Sequence, residues 1–184
     1  PYSLAIQALE ALGTPLPRPV HIWATDLSSA ALAKARAGGY RGRTLSNVTP
    51  EMRARYFDSR GPLVFVNQRV RELVTFEQCN LLDPFPTQAQ HVDIIFCQNV
   101  TIYFQLATFR ALVERFYTVL PTHGILFLGF SETLWNIFDR FRLQEIAGAF
   151  VYTKESYYDT PLPTPGTTSS TGATTPNTLP VPPE

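Results

Sequence analysis

The chain has 184 residues, of which 45% are hydrophobic, enough for one domain with a buried core. Lysine plus arginine and aspartate plus glutamate each number 15, so the charge balance gives no electrostatic case for nucleic acid or an anionic membrane as a partner. No apolar run is long enough to predict a transmembrane helix, and the first residues lack the basic start of a secretory signal peptide.

The first part of the chain alternates helix and strand signals. Apolar residues at helical spacing predict a helix over residues 1–12 that ends at Gly13. Val20–Asp26 is typical of a short strand, and Ser28 follows as the N-cap of a helix that ends at the Gly38–Gly39 pair. A strand followed by a helix is the unit of a parallel sheet with helices on its faces, so the predicted fold class is α/β.

Residues 40–73 interrupt this alternation. Thr49 and Pro50 predict a short capped helix, and the stretch Arg60–Leu73 predicts a hairpin arm of mixed polarity. We interpret this section as a small antiparallel β-subdomain inserted into the main sheet. Its arginines form either a solvated basic surface or a docking patch for an acidic partner. The candidate docking residues are Arg41, Arg43, Arg53 and Arg55.

The rest of the chain predicts strands, one long helix and a tail. The predicted elements are a strand ending at Asn80, strands over His91–Asn99 and Ile125–Phe130, an amphipathic helix over Ala107–Leu120, and a last pair of strands within Phe141–Glu155. The core of His91–Asn99 is apolar throughout, which predicts burial on both faces. A Pro/Thr-rich composition from Thr160 places the domain over residues 1–154 and a disordered linker or tail over 155–184.

Polar residues recur where the predicted parallel strands end. They are Asp26, Asn80, the Gln98–Asn99 pair and the Ser131–Glu132 pair. Ligands of open α/β sheets bind along this edge, and an acid there commonly holds the ribose hydroxyls of a nucleoside. Asp26 can also cap the following helix, and Asn80 can either contact an adenine or turn the chain. The Gln98–Asn99 pair is likewise a structural turn or part of a ligand site.

Signals for other chemistry are missing from the sequence. It contains no Gly-x-Ser-x-Gly elbow, no Walker-type glycine loop and no nucleophile paired with a base, so the chemistry is expected from a bound cofactor. The histidines are scattered and the two cysteines, Cys79 and Cys97, are expected to be buried free thiols in a reducing compartment. No metal site is therefore expected.

Five segments carry a resemblance to a known family. They are PYSLA at Pro1–Ala5, IWATDLSSAALAKARAGGY at Ile22–Tyr40, CNLL at Cys79–Leu82, IIFCQNVTIYF at Ile94–Phe104, and LFLGFSETLWNIFDRF at Leu126–Phe141. In order and spacing they resemble the CheR-type chemoreceptor glutamate methyltransferases over residues 1–154. The resemblance implies a Rossmann-like class I methyltransferase, a cytoplasmic monomer that uses S-adenosylmethionine (SAM) to form methyl esters on glutamates of methyl-accepting chemoreceptor helices.

The resemblance also implies roles for individual residues. Asp26 would hold the ribose, the Asn80–Leu81 pair would lie beside the adenine, and the Gln98–Asn99 pair would line the cofactor pocket. Tyr103 would lie near the transferred methyl group as an orienting residue, although it could instead be a core tyrosine. The β-subdomain would dock receptor segments, and its arginines suit a partner rich in glutamate. A substrate glutamate, with an ordinary pKa of about 4.3, needs no general base.

Two departures from the family pattern matter. The family's first strand, which is central to the sheet, and its glycine-rich loop precede the position of Pro1, as does a helical domain with an active-site arginine. We therefore expect this chain alone to bind SAM poorly and to be inactive. The family also usually has arginine where Gln98 stands.

Three other classes of protein are alternatives for a sequence with these features. A nucleic-acid amino-methyltransferase would carry two prolines between an asparagine or aspartate and a tyrosine, which the QNVTIY stretch lacks. A nicotinamide dehydrogenase fits the polar strand ends less well. A non-catalytic docking module that uses the β-subdomain remains an alternative because Gln98 is uncharged.

Overall fold

The computed structural model describes residues 1–90 and 92–155, so most of the predicted tail lies outside the described residues. The α-helices are α1 Tyr2–Leu12, α2 Ser29–Ala37, α3 Pro50–Tyr56, α4 Gln68–Arg71 and α5 Leu106–Val119. The strands are β1 Ile22–Asp26, β2 Gly39–Tyr40, β3 Phe57–Arg60, β4 Leu63–Val66, β5 Val74–Gln78, β6 Ile94–Cys97, β7 Ile125–Leu128, β8 Arg142–Ile146 and β9 Ala149–Thr153. No helix in these two ranges is long and apolar enough to cross a membrane.

The end of α1 and both ends of α2 lie at the residues that the sequence predicts. Helix α1 stops at Gly13, whose φ of 80° is a conformation that L side chains rarely adopt. The Ser28 hydroxyl accepts a hydrogen bond from the Ala31 N–H at 3.2 Å, which satisfies one free donor at the start of α2. Gly38 closes α2 in the left-handed conformation, with φ at 64°.

The β-subdomain is a three-stranded antiparallel sheet in the order β2-β4-β3. Thr49 caps α3 as predicted, with Pro50 in its first turn. The predicted hairpin arm is wrong beyond β4, because the chain turns into helix α4 there. Asn67 caps that helix by accepting from the Val70 N–H at 3.3 Å, and Val70 is fully buried. Burial of this one apolar side chain is a tertiary effect that strand propensity does not reveal.

The main sheet is divided into two parts. Strands β1 and β5 form a parallel pair, and the second part has the order β6-β7-β9-β8. Strands β6 and β7 are parallel, whereas β7–β9 and β9–β8 are antiparallel. Within the described residues, the remaining edges of β1 and β6 have no strand partner. The predicted α/β class with parallel strand pairs, flanking helices and an inserted antiparallel subdomain is confirmed.

Two groups of buried side chains stabilise the two halves of the fold. The N-terminal core joins α1 to the β-subdomain and consists of Tyr2, Ala5, Ile6, Leu9, Tyr56, Val66 and Val70. The C-terminal core lies between α5 and the second part of the sheet and consists of Cys97, Phe109, Leu112, Val113, Phe116, Leu120, Leu126, Leu134, Phe138, Phe141 and Tyr152. Each half therefore has its own apolar interior.

Strand β6 is buried on one face only, which corrects the prediction from its apolar sequence. Ile95 and Cys97 pack in the C-terminal core, whereas Ile94 and Phe96 are 49% and 43% exposed. The Phe96 ring stacks on Phe127, with the ring centroids 4.4 Å apart. Both faces of β6 are apolar, but only the face toward α5 is covered by described residues.

Candidate functional site

The carboxyl ends of β1 and β5 meet at Asp26. The Cys79 N–H donates to the Asp26 backbone carbonyl at 3.2 Å, which ties the two strand ends together. The Asp26 carboxylate accepts through Oδ1 from the Ser28 N–H at 2.8 Å, so it also shapes the entry to α2. The side chain is exposed, and Oδ2 has no hydrogen-bond partner among the described residues. Asp26 therefore stabilises the start of α2 through Oδ1, and its Oδ2 stays available at the carboxyl edge of the sheet.

Asn80 is held as a turn residue. Its Oδ1 accepts from the Leu82 N–H at 3.1 Å, and its Nδ2 lies 3.4 Å from Asp83 Oδ1. An asparagine that bonds its own backbone two residues on is the geometry of an Asx turn. The turn interpretation is therefore confirmed, and the role beside adenine stays a prediction. Leu81 is half-buried against the C-terminal core.

Arg115 of α5 fixes the segment that follows Asn80. Its Nη1 donates to the Leu81 carbonyl at 2.7 Å, and its Nη2 donates to the Asp83 carbonyl. Its guanidinium lies over the Phe85 ring, 4.0 Å from the centroid. A planar guanidinium can make these contacts together. Arg115 thereby ties the loop after β5 to the half of the fold that contains β6, a role that the sequence did not indicate.

The loop after β6 is organised around the Glu132 carboxylate, which comes from the loop after β7. Oε2 accepts from the Asn99 N–H at 2.9 Å and the Gly129 N–H at 2.6 Å. Oε1 accepts from the Val100 N–H at 3.0 Å and from the Thr101 N–H and hydroxyl at 2.7 and 2.6 Å. Five hydrogen bonds therefore converge on one side chain, and four of them join the loop after β6 to the loop after β7.

The backbone of this loop forms a concave cluster of donors. Asn99 is left-handed with φ at 59°, and Val100 is in the right-handed helical region. Successive residues of opposite helical hand point their N–H groups toward one anion, an arrangement known as a nest. Here the anion is the protein's own carboxylate, so the Asn99 N–H is already bonded within the protein, whereas the Asn99 residue is exposed.

Gly129 permits the close approach of the two loops. A Cβ built there would overlap Glu132 Oε2 and lie 3.0 Å from Asn99 N and 3.2 Å from Asn99 Oδ1. Any side chain would push the carboxylate or the asparagine out of place. The absence of a side chain at Gly129 is therefore a requirement of this arrangement.

The Glu132 carboxyl is buried, with 8% of the residue exposed, yet it is ionised at neutral pH. Burial raises its pKa, but the hydrogen bonds from the Thr101 hydroxyl and from the surrounding backbone outweigh burial, and the pKa lies below the ordinary value. Burial and the Glu132 charge raise the pKa of the neighbouring Cys97 thiol to about 12, so this cysteine is unreactive. Cys79 is half-buried, which corrects the expectation of two buried thiols.

Tyr103 lies on the surface next to this loop. It is 81% exposed, which excludes the alternative of a core tyrosine. Its N–H donates to the Val100 carbonyl at 3.3 Å, so its backbone position follows from the loop that Glu132 holds. Phe130 and Trp135 are also largely exposed in the segment after β7. Gln98 is exposed, and its side-chain amide donates to the Leu128 carbonyl at 3.4 Å.

The candidate docking arginines differ in their surroundings. Arg41 and Arg53 are exposed on the β-subdomain side of the fold, and the side chain of Arg43 lies outside the described residues. Arg55 donates to Glu10 at 2.6 Å, an acceptor that it shares with the Tyr56 hydroxyl. The Arg55 charge is therefore balanced within the protein, which weakens its case as a docking residue.

The described residues line two cavities of note, one beside the loop that Glu132 holds and one beside the β-subdomain. One of about 150 Å³ borders Thr101, Ile102 and Glu132, below the ~300 Å³ typical of small-molecule pockets. The other, of about 330 Å³, lies between the end of α2 and the β-subdomain, beside Arg60 and Arg71. We assign the candidate site to the sheet edge rather than to the larger cavity. The polar strand ends lie at this edge, and so does Gly129, against which Glu132 and Asn99 pack.

The predicted edge residues are brought together in two groups. Asp26 and the Asn80 loop follow the β1–β5 pair, whereas Gln98 and Asn99 follow β6 and are held by Glu132. Sequence reasoning noted Glu132 only as one more polar strand end. Its role as a shared acceptor and the need for glycine at position 129 depend on contacts between loops.

The chain is similar to a known family of proteins. Residues 1–149 match the family described as CheR methyltransferase, SAM binding domain. The chain is 39% identical to the chemotaxis protein methyltransferase of Escherichia coli K12 over 148 residues, 78% of this chain and 51% of that protein. It is 40% identical to chemotaxis protein methyltransferase 2 of Pseudomonas aeruginosa over 136 residues, 72% of this chain and 48% of that protein.

The chain spans about half the length of these relatives. The family match, by contrast, covers most of the 184 residues and includes every predicted edge residue. The resemblance carried by the five sequence segments is thereby confirmed. The chain belongs to the CheR methyltransferase family, within its S-adenosylmethionine-binding domain.

Proposed function

We propose that this chain is the cofactor-binding part of an enzyme that transfers a methyl group from SAM to glutamate side chains of chemoreceptors. Family membership supports the reaction class. The observation that carries the proposal is the loop after β6, where Glu132 holds Asn99 over Gly129 at the carboxyl edge of the sheet. We further propose that the protein acts as a cytoplasmic monomer that docks receptor helices.

The residues at this edge suit SAM chemically. The free Oδ2 of Asp26 is an acceptor for ribose hydroxyls, and the half-buried Leu81 offers an apolar surface to adenine. The nest occupied by Glu132 leaves the Asn99 amide as the polar group that faces a ligand. When bound, SAM supplies a methyl group on a sulfonium, which leaves as a neutral thioether.

The protein's share of the chemistry is to orient the reactants. A substrate glutamate has an ordinary pKa of about 4.3 and is already ionised at neutral pH, so no general base is required. The exposed Tyr103 can donate from its hydroxyl to a substrate carboxylate and align it for attack. The exposed Arg41 and Arg53 supply positive charge for a partner rich in glutamate.

Methyl transfer by the full-length protein tests the proposal. Labelled SAM and receptor-containing membranes are expected to give label on receptor glutamates that alkali releases as methanol. Asp26→Ala should raise the KM for SAM, and Tyr103→Phe should lower kcat with little change in that KM. Labelling that survives alkali, or that persists when the receptor glutamates are changed to alanine, would contradict glutamate esterification.

One observation favours a second candidate, a docking module without catalysis. Gln98 is neutral where the family usually has arginine, and its amide is engaged by the Leu128 carbonyl. In the same assay, the module predicts receptor binding without methyl transfer. Recovery of transfer in Gln98→Arg would attribute the loss to this position.

A further inference from the structure

Glu132 is the only side chain in the described residues that bonds to both the loop after β6 and the loop after β7 through the same carboxylate. We propose that Glu132 is a positioning residue for cofactor binding, acting through Asn99. This inference rests on the proposed location of the cofactor edge, and it assigns to Glu132 a role in SAM affinity beyond its contribution to stability.

The geometry requires a charged acceptor at this position. Oε2 accepts from the N–H groups of Asn99 and Gly129, and Oε1 accepts from the Val100 N–H and from the N–H and hydroxyl of Thr101. A glutamine of the same shape would place its NH₂ group against two or more of these donors, whichever way it turned. An aspartate is one methylene shorter and cannot keep all five contacts in place.

The consequence for Asn99 follows from its backbone. A left-handed conformation is uncommon outside glycine, although asparagine tolerates it best. Here it is stabilised by the Asn99 N–H bond to Glu132 and by the bonds of the next two N–H groups to the same carboxylate. Without this anion the loop loses the groups that hold its turn, and Asn99 loses its fixed position over Gly129.

The Glu132 carboxylate also supports the backbone at Tyr103. The Tyr103 N–H bonds to the carbonyl of Val100, whose own N–H is held by Glu132. One carboxylate therefore fixes both the predicted cofactor residue and the backbone next to the predicted orienting residue.

The test compares variants of the full-length protein by SAM calorimetry and by urea unfolding. Glu132→Gln is expected to weaken SAM binding on the order of tenfold, the equivalent of one charge-assisted hydrogen bond. Thr101→Val removes one donor while keeping the shape, and should weaken binding less. Thr101→Ser retains the hydroxyl and should remain closer to the wild type than Thr101→Val.

Leu112→Ala is the matched control, because Leu112 is buried in the C-terminal core and makes none of these hydrogen bonds. It should lower stability through a cavity and leave SAM affinity unchanged. In turnover, Glu132→Gln should mainly raise the KM for SAM. A smaller fall in kcat should accompany it, because the backbone next to Tyr103 depends on the same carboxylate.

The inference is overturned if Glu132→Gln loses stability as Leu112→Ala does and binds SAM like the wild type. A fall in kcat with unchanged KM would overturn it as well. If the wild type binds SAM but methylates no receptor, the proposed function fails, while the ratio of SAM affinities still decides the role of Glu132.

Discussion

Adding one methyl group at Gly129 is a direct perturbation of the cofactor edge. The added Cβ in Gly129→Ala would overlap Glu132 Oε2 and lie 3.0 Å from Asn99 N. Gly129 does not have a left-handed φ, so the substitution adds no backbone strain and its effect is steric. Glu132 must move away from two of its donors, the N–H groups of Gly129 and Asn99.

The size of the effect follows from those contacts. A hydrogen bond to a charged group contributes about 1.5–3 kcal/mol, and alanine returns about 0.4–1 kcal/mol by restricting the unfolded chain. Loss of one such bond and weakening of the second gives a net decrease of about 2–3 kcal/mol in the free energy of unfolding. Urea unfolding of the variant and the wild type measures this difference.

Gly61→Ala is the control for the backbone alone. A Cβ at Gly61 meets no atom within 4 Å, but the residue has φ at 60°, so alanine there should cost about 1 kcal/mol. Combining Gly129→Ala with Glu132→Gln should cost less than the sum of the two, because both act on the same carboxylate. A smaller loss in Gly129→Ala than in Gly61→Ala, or full additivity, would refute the steric argument.

Four further outcomes are expected. The pKa of Glu132 is lower in the folded protein than its ordinary value of about 4.3. The wild type should therefore be more stable than Glu132→Gln at pH values above about 4.3, and this difference should disappear as the pH falls through the lower pKa of the folded state. A difference that stays constant down to low pH would contradict this. Arg115→Lys should lower the free energy of unfolding by about 1–3 kcal/mol and speed hydrogen exchange over residues 80–85, because lysine cannot bond to both carbonyls. Unchanged exchange would show that Arg115 does not hold this loop. Cys97, with its pKa near 12, should react with a thiol reagent only on unfolding, more slowly than the half-buried Cys79. This chain should bind SAM weakly, because the second edges of β1 and β6 have no strand partner in the described residues, and micromolar binding in calorimetry would refute this.

Much of the fold could be predicted from local signals. The Ser28 and Thr49 caps and the left-handed glycine after α2 each act over a few residues, so their helices were predicted closely. The antiparallel strands of the β-subdomain were predicted from its break with the strand–helix alternation, whereas the order β2-β4-β3 was not predicted. Helix α4 was missed because the Arg60–Leu73 stretch has strand-like polarity and the burial of Val70 depends on distant α1 residues.

The site was less accessible to sequence reasoning. Polar strand ends located the edge, but its internal organisation depends on contacts between residues about 30 positions apart, such as Thr101 with Glu132 and Leu81 with Arg115. The exposure of Phe96 could not be predicted either, because an apolar run does not reveal whether both faces of a strand are covered.

The central claim is that the cofactor binds along the edge formed by Asp26, the Asn80–Leu81 loop and the Glu132-held Asn99. A crystal structure of the full-length protein with S-adenosylhomocysteine tests it most directly. The account predicts ribose hydroxyls on the Asp26 carboxylate and the ligand against the Asn99 side chain, with the Glu132 hydrogen bonds intact. A ligand in the cavity beside Arg60 and Arg71, or a Glu132 carboxylate turned away from Asn99, would contradict it.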